Sequence, residues 1–124
     1  MSEPQRAKLL GMGRLLRAFH SSIKGFIGCF REEQAFRQEL ALACIAVPLA
    51  LWLGHNGVER ALLAGTVLLV LIVELFNSAI EATVDRIGLE RNALSGLAKD
   101  IGSAAVLMSF ILLGVTWFLV LAGR

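Results

Sequence analysis

The sequence predicts an all-α integral membrane protein: one N-terminal interfacial amphipathic helix and three transmembrane helices. Three observations carry that prediction. The chain of 124 residues is 56% hydrophobic and only 18% charged, with a mean hydropathy of +0.71, more apolar surface than a soluble domain of this size can bury. Its apolar residues gather into long runs, the last of which, Ile101–Gly123, holds twenty-three residues without a charge. The lysines and arginines cluster at one end of these runs, as positive-inside topology requires. A net charge of +2 argues against a general nucleic-acid binder.

The first element spans residues 6–30. Leu9, Met12, Leu16, Phe19, Ile23, Phe26 and Phe30 recur every three or four positions and form one continuous face. Arg14, Arg17, Lys24 and Arg31 fall roughly 130° around the axis, at about 100° per residue. Such a basic amphipathic helix lies in the interface, cations among the headgroups. A helix of a soluble bundle is the plainer alternative, and the apolar runs that follow weigh against it.

A polar patch, Arg31–Glu39, leads directly into Leu40–Gly54, fifteen residues without a charge. That run alone is short of the roughly 20 residues a span needs. The first span is therefore placed at residues 34–54, with Arg37, Gln38 and Glu39 at an interface or facing protein. Pro48 lies inside it and Trp52 suits an interfacial belt. His55-Asn56-Gly57 reads as a tight turn. The second span covers 58–86 and the third 99–123, joined by a polar loop. Cys29 and Cys44 lack CxxC or metal-ligand spacing and read as small hydrophobes.

Orientation follows from the cations. Seven lysines and arginines precede residue 38, and Arg86, Arg91 and Lys99 flank the second loop, against Arg60 and Arg124 elsewhere. The expected topology puts the N-terminus in the cytoplasm and the C-terminus outside it.

One stretch resists the membrane reading. On a helix Glu74, Asn77, Glu81 and Asp85 lie within roughly 80° of one another, a polar stripe about 16 Å long at about 1.5 Å per residue. Ionisable groups at membrane depth destabilise by about 2.5–3.5 kcal/mol each, so they point to function. The chain has no GxxxxGK[ST], HExxH or protein-kinase HRD and DFG set. What it offers is carboxylates with an amide, suited to hard cations such as Mg²⁺, with Glu33 and Glu81 the best pair. Lys99 and Arg14 suit phosphate. Glu74, deepest in the apolar run, suits a general base beside a lipid hydroxyl. From the residues alone, phosphoryl transfer and proton-coupled transport both remain open.

The stretches Glu74–Gly88 (ELFNSAIEATVDRIG), Ala35–Glu39 (AFRQE) and Leu94–Val106 (LSGLAKDIGSAAV) resemble the small integral-membrane diacylglycerol kinases of Gram-negative bacteria. The resemblance extends over nearly the whole chain as a single membrane kinase domain, residues 1–124. It implies an ATP- and Mg²⁺-dependent enzyme of the bacterial inner membrane that makes phosphatidic acid, a homotrimeric helical bundle with active sites shared between chains and a periplasmic C-terminus. By the same resemblance Glu74 is the general base and Glu33 and Glu81 hold the metal. Arg14, Ser21, Glu33, Asn77, Glu81, Asp85, Glu90, Lys99 and Asp100 surround ATP; Arg14, Gln38, Glu74 and Ser103 meet the lipid. The chain departs from the family pattern at Ser21, where a tyrosine is frequent, and at Asn92, where a histidine occurs near the adenine.

Two other readings compete. Undecaprenol kinases of the related Gram-positive branch share the Glu–Asn–Glu stripe, but FRQE and LSGLAKDIGSAAV favour the diacylglycerol branch. A small proton-coupled membrane transporter also has about this length and an intramembrane glutamate, yet it calls for four spans where three are counted.

Overall fold

A computed structural model describes residues 1–124 as four helices and no strand: α1 (Glu3–Glu32), α2 (Gln34–Leu53), α3 (Gly57–Ile87) and α4 (Ala93–Ala122). α2, α3 and α4 are each long and apolar enough to cross a membrane. The chain divides into two compact units, Met1–Glu32 and Glu33–Arg124. The first is α1 alone, 30 residues long and without a buried side chain.

The second unit is built on α3, against which both α2 and α4 pack. On α2 the buried residues are Phe36, Ala43 and Ala50, spaced by seven, which is the repeat that keeps one seam on a neighbouring helix. Two of the three are alanines, and small side chains let helix backbones approach closely where lipid supplies no hydrophobic drive. The buried residues of α3, which packs against both neighbours, are Leu63, Thr66, Val67, Val70, Glu74 and Asn77. α4 presents Gly102 and Ser109, again seven apart and small.

The helix ends have local causes. Asn56 opens α3 by accepting a hydrogen bond from the Glu59 N–H at 2.9 Å. Asn92 opens α4, its Oδ1 accepting from the Leu94 and Ser95 N–H groups at 2.9 and 3.2 Å. That cap starts the helix at Ala93, whereas the apolar run suggested a start at residue 99. At about 1.5 Å per residue, α3 with 31 residues is about 46 Å long, more than the roughly 30 Å of hydrocarbon. The polar end of α3 therefore reaches beyond the apolar layer, and so does the capped start of α4.

Polar groups inside the bundle are satisfied along or between helices. Thr66 Oγ1 donates to the Leu62 and Leu63 carbonyls, both at 3.0 Å. Trp117 Nε1 on α4 donates to the same Leu63 carbonyl at 3.0 Å. At the opposite end from Asp85, Arg124 donates to the Leu53 carbonyl and to Glu59 Oε1, and Arg60 Nε donates to the Leu51 carbonyl at 3.1 Å. The last carbonyls of α2 thus meet arginines, which also complement its dipole.

Candidate active site

The stripe on α3 is graded in solvent exposure. Glu74 is 4% exposed and Asn77 8%. Glu81 is half-buried and Asp85 exposed, so burial declines turn by turn toward the C-terminal end of α3. Each side chain is placed by the same helical spacing that buries Leu63, Val67 and Val70.

Around this stripe the fold gathers acids from two helices. The charges of Glu33, at the start of α2, and of Glu81 both bear on Glu74. Glu39 of α2 carries a buried Oε2 without a hydrogen-bond partner, and Glu74 is among the buried residues of α3, against which α2 packs. Asn77 Nδ2 donates to Glu81 Oε1 at 3.3 Å, which orients that carboxylate one turn nearer water. Asn77 Oδ1 is buried and without a hydrogen-bond partner. It lies directly against Gly102 of α4.

At the exposed end Lys99 Nζ and Asp85 Oδ1 form an ion pair at 2.7 Å. Both side chains are over two-fifths exposed, so the pair organises charge and adds little to stability. Asp85, Gly88, Glu90, Asn92 and Lys99 line a cleft of about 460 Å³ between the end of α3 and the start of α4. A lysine with carboxylates and a helix start fits the recognition of a polyphosphate and the sugar it carries.

The other expected site residues divide between the cleft and positions outside it. Glu90 lines the cleft, while Asp100, Ser103 and Gln38 are exposed outside its lining. Arg14 and Ser21 are exposed on α1, in the first compact unit. Asn92, which the family resemblance put near the adenine, is the cap of α4 as well as part of the cleft wall.

Two residues escaped the sequence reading. Glu39 was only part of a polar patch, although its position three after Phe36 and four before Ala43 puts it on the buried face of α2. Gly102 passed as one glycine of an apolar run, and its seven-residue spacing to Ser109 was the available signal.

No three or more His, Cys, Asp or Glu side chains converge on one metal position within the chain. The oxygen donors on and near the stripe include Glu33, Glu81 and the orphaned Asn77 amide oxygen. Such a hard, sparse set fits Mg²⁺, which typically takes one or two carboxylates and fills its remaining positions with phosphate oxygens and water.

The model of the family "Prokaryotic diacylglycerol kinase" matches residues 20–121. This chain belongs to the prokaryotic diacylglycerol kinase family. Relatives named diacylglycerol kinase agree along nearly their full length. That of Pseudomonas aeruginosa is 50% identical over 113 residues, covering 91% of this chain and 92% of the relative. That of Escherichia coli K12 is 49% identical over 111 residues, 90% and 91% of the two chains. That of Haemophilus influenzae is 46% identical over 110 residues, 89% and 93%.

Proposed function

We propose that the protein transfers the γ-phosphoryl group of ATP directly to the hydroxyl of diacylglycerol, giving phosphatidic acid and ADP at the cytoplasmic face of the bacterial inner membrane. The observation that carries this reading is the graded stripe, from Glu74 at 4% exposure to the exposed Asp85–Lys99 pair. A water-soluble donor and a lipid-borne acceptor meet along such a gradient.

In this reading Glu74 takes the hydroxyl proton as the oxygen attacks the γ-phosphorus and the bond from that phosphorus to the ADP oxygen breaks. Glu74 suits the role because it is the deep end of the stripe, where the lipid hydroxyl arrives. Glu33 and Glu81 would hold Mg²⁺, which neutralises phosphate charge when bound. Asn77 fixes the Glu81 carboxylate by its 3.3 Å bond. Lys99 exchanges Asp85 for phosphate oxygens, and Asp85, Glu90 and Asp100 face the nucleoside. The family resemblance assigns Arg14 and Ser21 to the nucleotide, and Arg14, Gln38 and Ser103 to the lipid.

The active unit is a homotrimer with shared sites. In its support, few residues of α2, α3 and α4 are buried within one chain, a thin wall for such a stripe. The cation distribution supports a cytoplasmic N-terminus and a periplasmic C-terminus.

The test is a kinase assay on the full chain in lipid vesicles, offering diacylglycerol and undecaprenol together with ATP while Mg²⁺ is titrated. Preferential labelling of diacylglycerol with an absolute Mg²⁺ requirement is expected. Preferential labelling of the polyprenol would overturn the substrate assignment, and proton-driven cation flux without phosphate transfer would overturn the enzyme reading.

A further inference from the structure

Arg91 lines the cleft between α3 and α4 and takes no part in the mechanism above. It lies exposed in the connection from Ile87 to Ala93. Its neighbours in the wall are already committed. Lys99 is paired with Asp85 at 2.7 Å, and Asn92 Oδ1 accepts from the Leu94 and Ser95 N–H groups. The Glu90 carboxylate lies against Gly88, where an added Cβ would come within 2.6 Å of Oε1. Arg91 forms no ion pair or hydrogen bond within the chain, so its guanidinium is free for a ligand.

Position along the cleft decides which part of a nucleoside triphosphate this guanidinium meets. Lys99 stands six residues after Ala93, about 9 Å along α4 at about 1.5 Å per residue, and its partner Asp85 ends the stripe. A phosphoryl group bound for Glu74 has to lie on that side, so the triphosphate runs past Lys99. The nucleoside then points the other way, toward the connection that carries Arg91. No aromatic side chain lines the cleft. A guanidinium stacks on ring faces, which an ammonium cannot do, and Arg91 is the largest flat group there. At the base edge, Arg91 and Asn92 Nδ2 are hydrogen-bond donors only. Such donors reach N7, which adenine and guanine share, and O6 of guanine; neither accepts from the amino group that marks adenine.

We propose that Arg91 carries the purine base of the phosphoryl donor on its guanidinium plane, and that this contact accepts ATP and GTP alike. The proposal rests on the cleft being the nucleotide site. It makes Arg91 a specificity-determining residue. Ring area favours purines over pyrimidines, while the donor-only edge leaves the two purines equal.

The experiment uses the full chain in vesicles with diacylglycerol and Mg²⁺. It compares ATP, GTP and CTP as donors for the unsubstituted protein, Arg91→Ala and Arg91→Lys. In the unsubstituted protein, KM for ATP and GTP agrees within about threefold and KM for CTP is about fivefold higher, the scale of one stacking contact. Arg91→Ala raises KM for both purine nucleotides about fivefold, to the level of CTP, while kcat changes less than about twofold. Arg91→Lys keeps the charge without the plane and behaves as Arg91→Ala does. Inorganic tripolyphosphate, a competitor without a base, inhibits all three proteins with the same Ki. An ATP KM unchanged in Arg91→Ala, or restored by lysine, overturns the stacking role. A tripolyphosphate Ki that rises with the ATP KM overturns it too, by making Arg91 a phosphate contact. ATP favoured over GTP by more than about tenfold in kcat/KM overturns the equal acceptance of purines. If no nucleotide phosphorylates the lipid, the kinase reading fails instead, and equilibrium dialysis of ATP against the unsubstituted and Arg91→Ala proteins judges Arg91 by itself.

Discussion

Gly102 of α4 and Asn77 of α3 are in direct contact, and a Cβ built at position 102 runs into Asn77 Oδ1. The neighbour in the way is a short, buried amide whose nitrogen is committed to Glu81 at 3.3 Å, so it cannot swing aside without releasing that carboxylate. The glycine is therefore a packing requirement of the site, independent of any special backbone angle.

Gly102→Ala follows as a test. Overpacking of this kind destabilises by about 1–3 kcal/mol. In this bundle part of the strain is relieved by displacing Asn77, so kcat falls roughly tenfold or more while helicity and assembly in detergent are kept. Steady-state kinetics with circular dichroism checks it. A Gly102→Ala protein with parent-like kcat would mean that Asn77 does not position Glu81.

Glu74→Gln conserves volume and hydrogen bonding at a site that is almost fully buried. Removing a general base lowers turnover by about 10²–10⁴-fold. Substrate KM values and thermal stability in detergent should change little. Near-normal kcat in this variant would take Glu74 out of the proton-accepting role.

At the exposed end the prediction separates binding from stability. Lys99 is held by Asp85 at 2.7 Å in an ion pair open to solvent. Lys99→Ala should leave the unfolding midpoint near that of the parent, because exposed pairs stabilise little. KM for ATP rises roughly tenfold, the loss of one charge-assisted hydrogen bond to phosphate. ATP titration and thermal unfolding of the same preparation decide it. A fall in stability with unchanged KM would make Lys99 a structural residue.

Much of this architecture was legible in the chain because membrane depth enforces simple rules. Apolar runs marked α2, α3 and α4, and the stripe from Glu74 to Asp85 stood out because charge at such positions is rare. Its grading by exposure followed from its place at the end of the second run. What the sequence hid were relationships across helices. Glu39 needed α2 to be laid on α3 before one of its oxygens was sealed from solvent. Gly102 needed α4 in place before its lack of a side chain mattered. α4 begins at Ala93, ahead of the span expected from residue 99, because hydropathy marks where lipid begins, whereas the Asn92 cap marks where the helix begins.

The Leu63 carbonyl offers a last prediction. It accepts from Trp117 Nε1 of α4 and from Thr66 Oγ1 of its own helix, both at 3.0 Å. Trp117→Phe removes the first donor and keeps most of the aromatic bulk; Thr66→Val removes the second at nearly constant volume. Either change alone leaves the fully buried Leu63 one side-chain donor, and interhelical hydrogen bonds of this kind average about 0.6 kcal/mol. The double variant leaves none, so its loss should exceed the sum of the single losses by roughly 0.5 kcal/mol or more. Denaturant unfolding in mixed micelles measures all three. Losses that simply add would show that the two donors act independently and that α4 is held to α3 by packing alone at this level.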